Sequence, residues 1–264
     1  MRPCGSIRRR SGTGRCALTT ADPVRIAILG GRGGSKAHWN LLRRSFVPPG
    51  VELDSEPLSL WREPDQRKGQ AEDAYVARAV DLVREHRWDG IALTGAPNQL
   101  LHPGASAGVR AALDIPVTLA LEASAIAARA LGIRCALLLT PLDESTNGLI
   151  KDYLATAGVE AVLPATAFSS VDQMADAGAE EVSALAKREL ASAPGVDGII
   201  FQAARLLTPI GFLERLEQDF DIPVVASNPA ILWHLLSTLG HTYHVESGGR
   251  LLREWPALPV GLNG

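Results

Sequence analysis

Two side chains in the sequence could move a proton. Glu122 lies at the start of a predicted helix, and its carboxylate could abstract a proton from a carbon acid. A glutamate in the first turn of a helix can instead do no more than stabilise the helix dipole, and this alternative stays open. His102, which precedes Pro103, could act as an acid or a base near neutral pH, or it could be a surface-loop residue. Glu122 and His102 are therefore the candidate catalytic residues.

Several polar side chains could hold a small carboxylate or a carbonyl group. Arg205 could bind a carboxylate through two hydrogen bonds, or it could be a solvated loop residue. Asn98, Gln99 and Gln202 could hydrogen-bond a carbonyl or an amide, or they could cap loops and strand ends. The further candidates for substrate binding are Gly95, Ala96, Ala203, Ser227, Asn228 and Arg32.

A glycine-rich loop at residues 30–36 follows the first predicted strand. Its sequence, GGRGGSK, fits neither the dinucleotide-binding motif nor the P-loop motif, so a nucleotide site is not indicated. From its residues alone the loop is interpreted as flexible. Ser227 and Asn228, which precede Pro229, could cap a helix or expose N–H groups to a carboxylate.

The candidate residues lie between short apolar runs that alternate with helical patterns. The predicted strands are 24–29, 91–93, 135–139, 199–201 and 223–225. The predicted helices lie near 75–83, 123–131, 149–157, 180–190, 212–220 and 229–239. This alternation predicts an α/β fold whose parallel sheets are covered by helices.

An internal repeat divides this pattern into two halves. The string DGI occurs at 89–91 and 197–199, and the string DIPV at 114–117 and 221–224. Duplication of one lobe explains both pairs, so we expect two pseudo-symmetric lobes with the ligand cleft between them. The approximate limits are 22–118 with 223–264 for the first lobe and 119–222 for the second.

The duplication also predicts where a ligand binds. Ligands of open parallel sheets bind outside the carboxyl ends of the strands. Gly95 and Ala203 each lie six residues after the aspartate of the repeat, so we expect them to face each other across the cleft. The repeat also pairs Glu122 with Pro229, because each lies six residues after the proline of the DIPV string. This predicts that both lie at helix starts in this region.

Composition excludes several classes of protein. Hydrophobic residues make up 46% and charged residues 21% of the 264 residues, which is typical of a globular protein. The net charge of −3 provides no general basic surface for nucleic acid. No apolar run reaches the roughly 18–20 residues of a membrane helix. Three cysteines are too few and too scattered for a disulfide framework, and His241, His244 and Glu246 form no convincing metal site.

Residues 1–21 differ from the rest of the chain because they carry five arginines and no acidic residue. The apolar stretch of an export signal is missing after the arginine cluster. We interpret this segment as a disordered basic leader rather than a contact for anions, and we expect a cytoplasmic protein.

The second half of the sequence resembles a known family. The stretches GVDGIIFQAARLLT at 195–208 and IPVVASNPA at 222–230 are similar to the aspartate/glutamate racemase superfamily, in its arylmalonate decarboxylase and maleate cis–trans isomerase branch. Further residues that fit this branch are 129–132, Asn147, Leu232, Trp233 and 249–252. For the glycine-rich loop, the resemblance implies instead of mere flexibility that Arg32 contacts a small anion there.

This resemblance implies enzymes without a metal or organic cofactor, in which one or two cysteines move protons at a carbon beside a carboxylate, or attack it. The two cysteine positions correspond to Gly95 and Ala203, so both thiols are replaced here. Ala96 and Pro97 stand where hydroxyl donors are expected, and the tyrosine expected near Leu142 is absent. No cysteine-based mechanism can therefore be carried over.

We expect a cofactor-independent isomerase or decarboxylase-like lyase that acts on a small carboxylate or related carbonyl compound, with Glu122 or His102 as the proton carrier. The alternative is a pseudoenzyme that binds a small-carboxylate metabolite without turnover. Glu122, Arg205 and Gln202 favour the enzyme because they place charged and polar side chains around the expected site. We expect no nucleic-acid or membrane partner, and the abundant alanine and leucine would suit a homo-oligomer.

Overall fold

Two four-stranded parallel sheets form the framework of the protein, which is available as a computed structural model describing residues 22–30, 36–58, 68–164, 168, 173, 177–203 and 211–260. The strands are β1 (Val24–Gly30), β2 (Val51–Pro57), β3 (Gly90–Leu93), β4 (Val117–Leu119), β5 (Cys135–Leu139), β6 (Glu160–Val162), β7 (Gly198–Phe201) and β8 (Val224–Ala226). The helices are α1 (Lys36–Phe46), α2 (Lys68–His86), α3 (Ala96–Leu101), α4 (Pro103–Ala112), α5 (Ala120–Ala130), α6 (Glu144–Thr156), α7 (Ala179–Ser192), α8 (Phe212–Phe220), α9 (Ser227–Thr238) and α10 (Gly249–Glu254).

The two sheets have the same strand order. The first is β2-β1-β3-β4 and the second is β6-β5-β7-β8, and each neighbouring pair is parallel. Helices flank both sheets, since consecutive parallel strands within each sheet are joined by crossovers. The predicted α/β fold, with two repeated lobes that each contain a parallel sheet, is confirmed.

The repeated aspartate tethers the start of a neighbouring strand in each lobe. Asp89 accepts a hydrogen bond from the Arg25 N–H at 2.7 Å, at the start of β1. Asp197 accepts one from the Arg134 N–H at 2.9 Å and one from the Cys135 N–H at 2.8 Å, at the start of β5. Each carboxylate thus holds the amino ends of two adjacent strands together.

The repeated glycine is required by close packing. A Cβ atom at Gly90 would lie 2.9 Å from Leu235 Cδ1, and one at Gly198 would lie 2.5 Å from Ile133 Cδ1. In both lobes the isoleucine N–H of the DGI string donates to the proline carbonyl of the DIPV string at 3.0 Å. These contacts give the repeat a structural cause in both halves.

Two buried helices connect the two lobes. Helix α5 contacts β4, which precedes it, and also β7 and β8 of the other sheet. Helix α9 contacts β8, which precedes it, and also β3 and β4 of the other sheet, and α5 and α9 pack against each other. The many alanines of α5 allow this close approach. The lobe boundary therefore differs from the limit expected at 223: residues 224–226 pair with β7 in the second sheet, and the chain returns to the first lobe only with α9.

The opposite face of the first sheet carries an outer layer made by α2 and α4. Tyr75 and Ala79 of α2 and Val109 of α4 are buried against Leu29 and Leu93 of the sheet, in a cluster separate from the main core. The main core instead joins residues of both sheets with α5 and α9. Helices α2 and α4 thus cover the side of the first sheet that faces away from this shared core.

Two expectations concern the basic leader and membrane-spanning helices. The leader at residues 1–21 lies outside the described residues. Across the described ranges, none of the helices combines the length and apolar character that crossing a bilayer requires.

Candidate functional site

Gly95 and Ala203 occupy equivalent places in the two lobes. Each is the second residue beyond the end of a central strand, β3 for Gly95 and β7 for Ala203. Gly95 has φ +94°, a backbone conformation that side-chain-bearing residues rarely adopt. A Cβ atom at Gly95 would also lie 3.2 Å from Asn98 Nδ2. The Asn98 amide thus crowds the space that a side chain at position 95 would need.

The two strand ends are anchored in the same way. The Thr94 N–H donates to the Leu29 carbonyl at 2.8 Å, and the Gln202 N–H donates to the Leu139 carbonyl at 3.0 Å. Each bond ties the end of a central strand to its neighbour, β1 or β5. After Gly95, the buried Ala96 begins the short helix α3, which carries Asn98 and Gln99.

Three amide oxygens at these strand ends are buried without a hydrogen-bond partner. They are Asn98 Oδ1, Gln99 Oε1 and Gln202 Oε1. Asn98 is 8% exposed and Gln202 is 6% exposed. Asn98 Nδ2 lies 3.5 Å from the Thr94 carbonyl oxygen, which orients that amide. The predicted binding residues on α3 and after β7 therefore present hydrogen-bond acceptors.

Glu122 is held by an arginine from another helix. Arg110 Nη2 of α4 donates to Glu122 Oε1 at 2.9 Å and to Oε2 at 2.7 Å. The same guanidinium binds the Val117 carbonyl through Nε at 3.2 Å and Nη2 at 3.0 Å. Glu122 lies in the first turn of α5, as predicted. It is thus an oriented carboxylate in an ion pair rather than an isolated one.

Tyr153 of α6, in the second lobe, interacts electrostatically with this ion pair. Burial raises the pKa of the Tyr153 hydroxyl, and the charge of Glu122 raises it further, while a hydrogen bond with Gln99 and the Arg110 charge act in the opposite direction. Gln99 Oε1 itself has no hydrogen-bond partner. The hydroxyl therefore stays protonated at neutral pH and can donate a hydrogen bond.

His234 is a buried histidine between α9 and β4. Its Nδ1 lies 2.9 Å from Thr118 Oγ1. Burial, followed by the charge of Arg110, lowers the pKa of His234 to about 4. The imidazole is therefore neutral at physiological pH.

His102 has a carboxylate partner in the outer layer. Its Nδ1 lies 3.3 Å from Glu72 Oε1 of α2. Glu122 instead pairs with Arg110, so the two predicted proton carriers have different partners on different helices. Glu72 can orient the His102 ring, leaving Nε2 as the proton-transfer atom.

The remaining predicted binding residues fall into two groups. Arg32 and Arg205 lie outside the described residues. Ser227 and Asn228 are buried in the first turn of α9, and the Ser227 hydroxyl donates to the Phe201 carbonyl at 3.0 Å. This bond fastens the start of α9 to the end of β7, which is a structural role.

The thiol of Cys135 lies away from the carboxyl ends of the strands. Cys135 is the first residue of β5, at the amino edge of the second sheet. Burial, with the charges of Glu160 and Asp197, raises the pKa of this thiol. No group of acidic, histidine or cysteine side chains within the described ranges could hold a metal ion.

A cavity of about 700 Å³ also lies at the amino edge of the second sheet. The loop before β7, the end of α7 and the end of α8 line it, and its charged side chains are Lys187 and Asp219. Ligands of parallel sheets bind at the carboxyl edge, so this cavity lies at the edge opposite the one predicted for the ligand.

Arg110 and Tyr153 were missed by sequence reasoning. The repeat contains a signal for Arg110: it lies seven residues before Val117, and Glu217 lies seven residues before Val224. Both side chains bind the backbone of these residues, Arg110 through the Val117 carbonyl and Glu217 through the Val224 N–H at 3.0 Å. Tyr153 looks like one more apolar-face residue of α6 in the sequence, and no local pattern distinguishes it.

Comparison with known proteins identifies similar sequences and folds. A family model described as arylmalonate decarboxylase matches residues 103–252, which is more than half of the chain. A crystal structure of arylmalonate decarboxylase has a TM-score of 0.71 at 20% identity, covering 86% of this chain and 98% of that one. No curated protein matches the chain significantly.

Two maleate isomerases have the same fold. For the enzyme of Pseudomonas putida the TM-score is 0.71 at 18% identity, with 88% of this chain and 99% of that chain covered. For the Nocardia farcinica maleate cis–trans isomerase bound to TRIS it is 0.69 at 19% identity, with 87% and 98% covered. These structures establish a shared two-lobed architecture.

Proposed function

Because the chain belongs to the arylmalonate decarboxylase family, we propose that it acts on a small carboxylic acid or related carbonyl compound at the carboxyl ends of β3 and β7. The reaction is an isomerisation or a decarboxylation that needs no cofactor and no thiol. One observation supports the proposal: the equivalent positions Gly95 and Ala203 lack thiols, while Glu122 is an oriented carboxylate whose charge acts on Tyr153 of the second lobe.

The thiol chemistry of the relatives has no counterpart at these positions. One structure of the Nocardia farcinica maleate isomerase, a cysteine-to-serine variant, holds a covalently bound succinylcysteine intermediate. Here the strand ends carry glycine and alanine, and Cys135 lies at the other edge of the sheet. Another group must therefore move the proton.

Glu122 is the proposed base. Arg110 fixes its position, and each carboxylate oxygen keeps a second lone pair that can accept a proton. Glu122 takes a proton from the carbon next to the substrate carboxylate, and the electron pair of the C–H bond moves into an enediolate. The protonated Tyr153 hydroxyl donates a hydrogen bond to that negative charge. Delivery of a solvent proton to the opposite face of the planar enediolate inverts the carbon and completes an isomerisation, and Glu122 then releases its proton to solvent.

A decarboxylation would differ in its first step. The carbon–carbon bond of a malonate breaks, CO₂ leaves with no electrons from that bond, and the resulting carbanion resembles the enediolate above. Protonation of the carbanion then gives the product. His102, oriented by Glu72, is the alternative proton carrier.

Exchange of substrate protons for deuterium tests this proposal. Malonate, 2-methylmalonate and succinate, which carry saturated C–H bonds next to a carboxylate, are incubated in deuterium oxide with wild type, Glu122→Gln and the matched variant His102→Asn. Exchange is followed by NMR. Loss of a positioned base lowers the rate by roughly 10²–10⁴-fold, so we expect Glu122→Gln to show this loss and His102→Asn to exchange like wild type. The opposite result would assign the base to His102, and undiminished exchange in both variants would reject both.

A non-catalytic binding protein is the second candidate function. The observation that favours it is the Glu122–Arg110 ion pair, in which one guanidinium nitrogen contacts both carboxylate oxygens. A binding protein would be stabilised by malonate or maleate, by about 2.7 kcal/mol at a ligand concentration one hundred times Kd, while causing no exchange. Saturable thermal stabilisation without deuterium incorporation would therefore select this function.

A further inference from the structure

The unpartnered amide oxygens cluster at the proposed site. Among buried side-chain polar atoms of the described residues, those without a partner are Asn98 Oδ1, Gln99 Oε1, Gln202 Oε1 and Ser45 Oγ. The three amide oxygens lie just beyond β3 and β7, and Ser45 lies near the end of α1, which leads to the amino edge of the first sheet. Buried acceptors without a donor are costly, so an accumulation at one edge of the fold needs an explanation.

A neighbouring acceptor fixes which end of the Asn98 amide stays unpaired. The Asn98 amide nitrogen lies 3.5 Å from the Thr94 carbonyl oxygen. Exchanging nitrogen and oxygen in this amide would place an oxygen against the Thr94 carbonyl. Asn98 therefore leaves an acceptor rather than a donor for a ligand.

Acceptor oxygens select against a second carboxylate. A carboxylate has no hydrogen to donate, and its negative charge would be repelled by the amide oxygens. A ligand group that satisfies these oxygens must carry N–H or O–H donors. A cationic ammonium finds no free carboxylate partner in Glu122, because that carboxylate is already paired with Arg110.

We propose that the site binds a small carboxylic acid that also carries a neutral carboxamide, whose N–H groups donate to these amide oxygens. This inference rests on the proposed function, which supplies the carboxylate, and it adds the chemical class of the second group. A primary carboxamide has two N–H donors on one nitrogen and nearly the shape of a carboxylate. Gln202, on the second lobe, and Asn98, on the first, are the specificity-determining residues.

Matched ligand pairs test the inference on the full-length chain. Isothermal titration calorimetry compares malonate with malonamate, maleate with maleamate, and succinate with succinamate, in which only one carboxylate oxygen is replaced by NH₂. We expect each monoamide to bind at least about tenfold more tightly than its dicarboxylate, since the dicarboxylate leaves buried acceptors unpaired. Aspartate serves as the ammonium-bearing probe and should bind more weakly than succinamate.

Variants connect the preference to the named oxygens. Gln202→Met removes an acceptor with little change of shape and should reduce the monoamide preference to about twofold or less. Ser45→Ala removes an unpartnered atom remote from the site and should leave the preference unchanged. If Gln202→Met fails to fold, as judged by circular dichroism, Gln99→Met takes its place with the same expectation.

The outcomes separate this inference from the proposed function. Dicarboxylates that bind as tightly as their monoamides would overturn the inference and leave the proposed function intact. Tighter binding of aspartate than of succinamate would overturn the carboxamide assignment, as would an unchanged preference in Gln202→Met. Absence of binding by every probe would refute both proposals.

Discussion

Replacing the buried imidazole of His234 should remove an acid-sensitive contribution from the free energy of unfolding. His234 is 7% exposed and its Nδ1 lies 2.9 Å from Thr118 Oγ1. Burial lowers its pKa from 6.5 to about 4 in the folded protein. Between these values the unfolded chain binds a proton that the folded chain does not. The stabilisation is therefore complete above pH 6.5 and is lost as the pH falls towards 4.

The size of this effect follows from the two pKa values. A difference of one pKa unit corresponds to about 1.4 kcal/mol, so the shift from 6.5 to about 4 corresponds to about 3 kcal/mol. Asparagine at position 234 can still hydrogen-bond Thr118 but does not titrate. We expect His234→Asn to be about 1–2 kcal/mol less stable than wild type at pH 7.5, because it packs less well, and to lose this deficit in acid.

Urea unfolding of both proteins at pH 7.5, 6.5, 5.5 and 4.5 measures the effect. Subtracting the two curves removes the contributions of groups that titrate in both proteins. The expected difference curve falls steadily below pH 6.5 and favours the variant at pH 4.5. A difference that stays constant from pH 7.5 to 4.5 would show that His234 is not a buried neutral imidazole.

Four further substitutions test individual parts of the structure by urea unfolding. Asn98→Leu removes an unpartnered oxygen and should change the unfolding free energy by less than about 1 kcal/mol, whereas Asn147→Leu, whose amide bonds the Thr140 hydroxyl and the Leu142 carbonyl, should cost about 2–4 kcal/mol. Equal losses in these two variants would contradict the difference in hydrogen bonding. Gly95→Ala should cost about 1–2 kcal/mol because of the positive φ, and a neutral or stabilising effect would refute that conformation. Glu217→Met should cost about 3 kcal/mol, since it leaves two backbone N–H groups without their acceptor, and a change under about 1 kcal/mol would show that these bonds contribute little.

The repeat made the two-sheet framework predictable. The aspartate, glycine and proline of the DGI and DIPV strings each make the same kind of contact in both lobes. The repeated residues therefore indicate a repeated structure. Strand β2 was missed because it lies at the edge of its sheet and reads VELDSEP, with polar residues at most positions. An edge strand needs no continuous apolar run.

The partners of the site residues were not predictable in the same way. Glu122 was recognised as a first-turn carboxylate, but its ion pair with Arg110 depends on how α4 packs beside α5. Likewise, the contact of Tyr153 with Gln99 depends on the approach of α6 to α3 from the other lobe. Such contacts are set by packing between helices distant in sequence, for which the chain has no local pattern. The placement of Gly95 and Ala203 beyond equivalent strands needed only the repeat.

Deuterium exchange by a protein without any thiol is the most direct test of the account. Cys4, Cys16 and Cys135 are the three cysteines of the sequence, and all can be replaced by serine in one variant. We predict that this variant incorporates deuterium into malonate or 2-methylmalonate at the wild-type rate, while adding Glu122→Gln abolishes incorporation. Loss of exchange on removing the cysteines alone, in a variant that keeps the wild-type circular dichroism spectrum, would contradict the account.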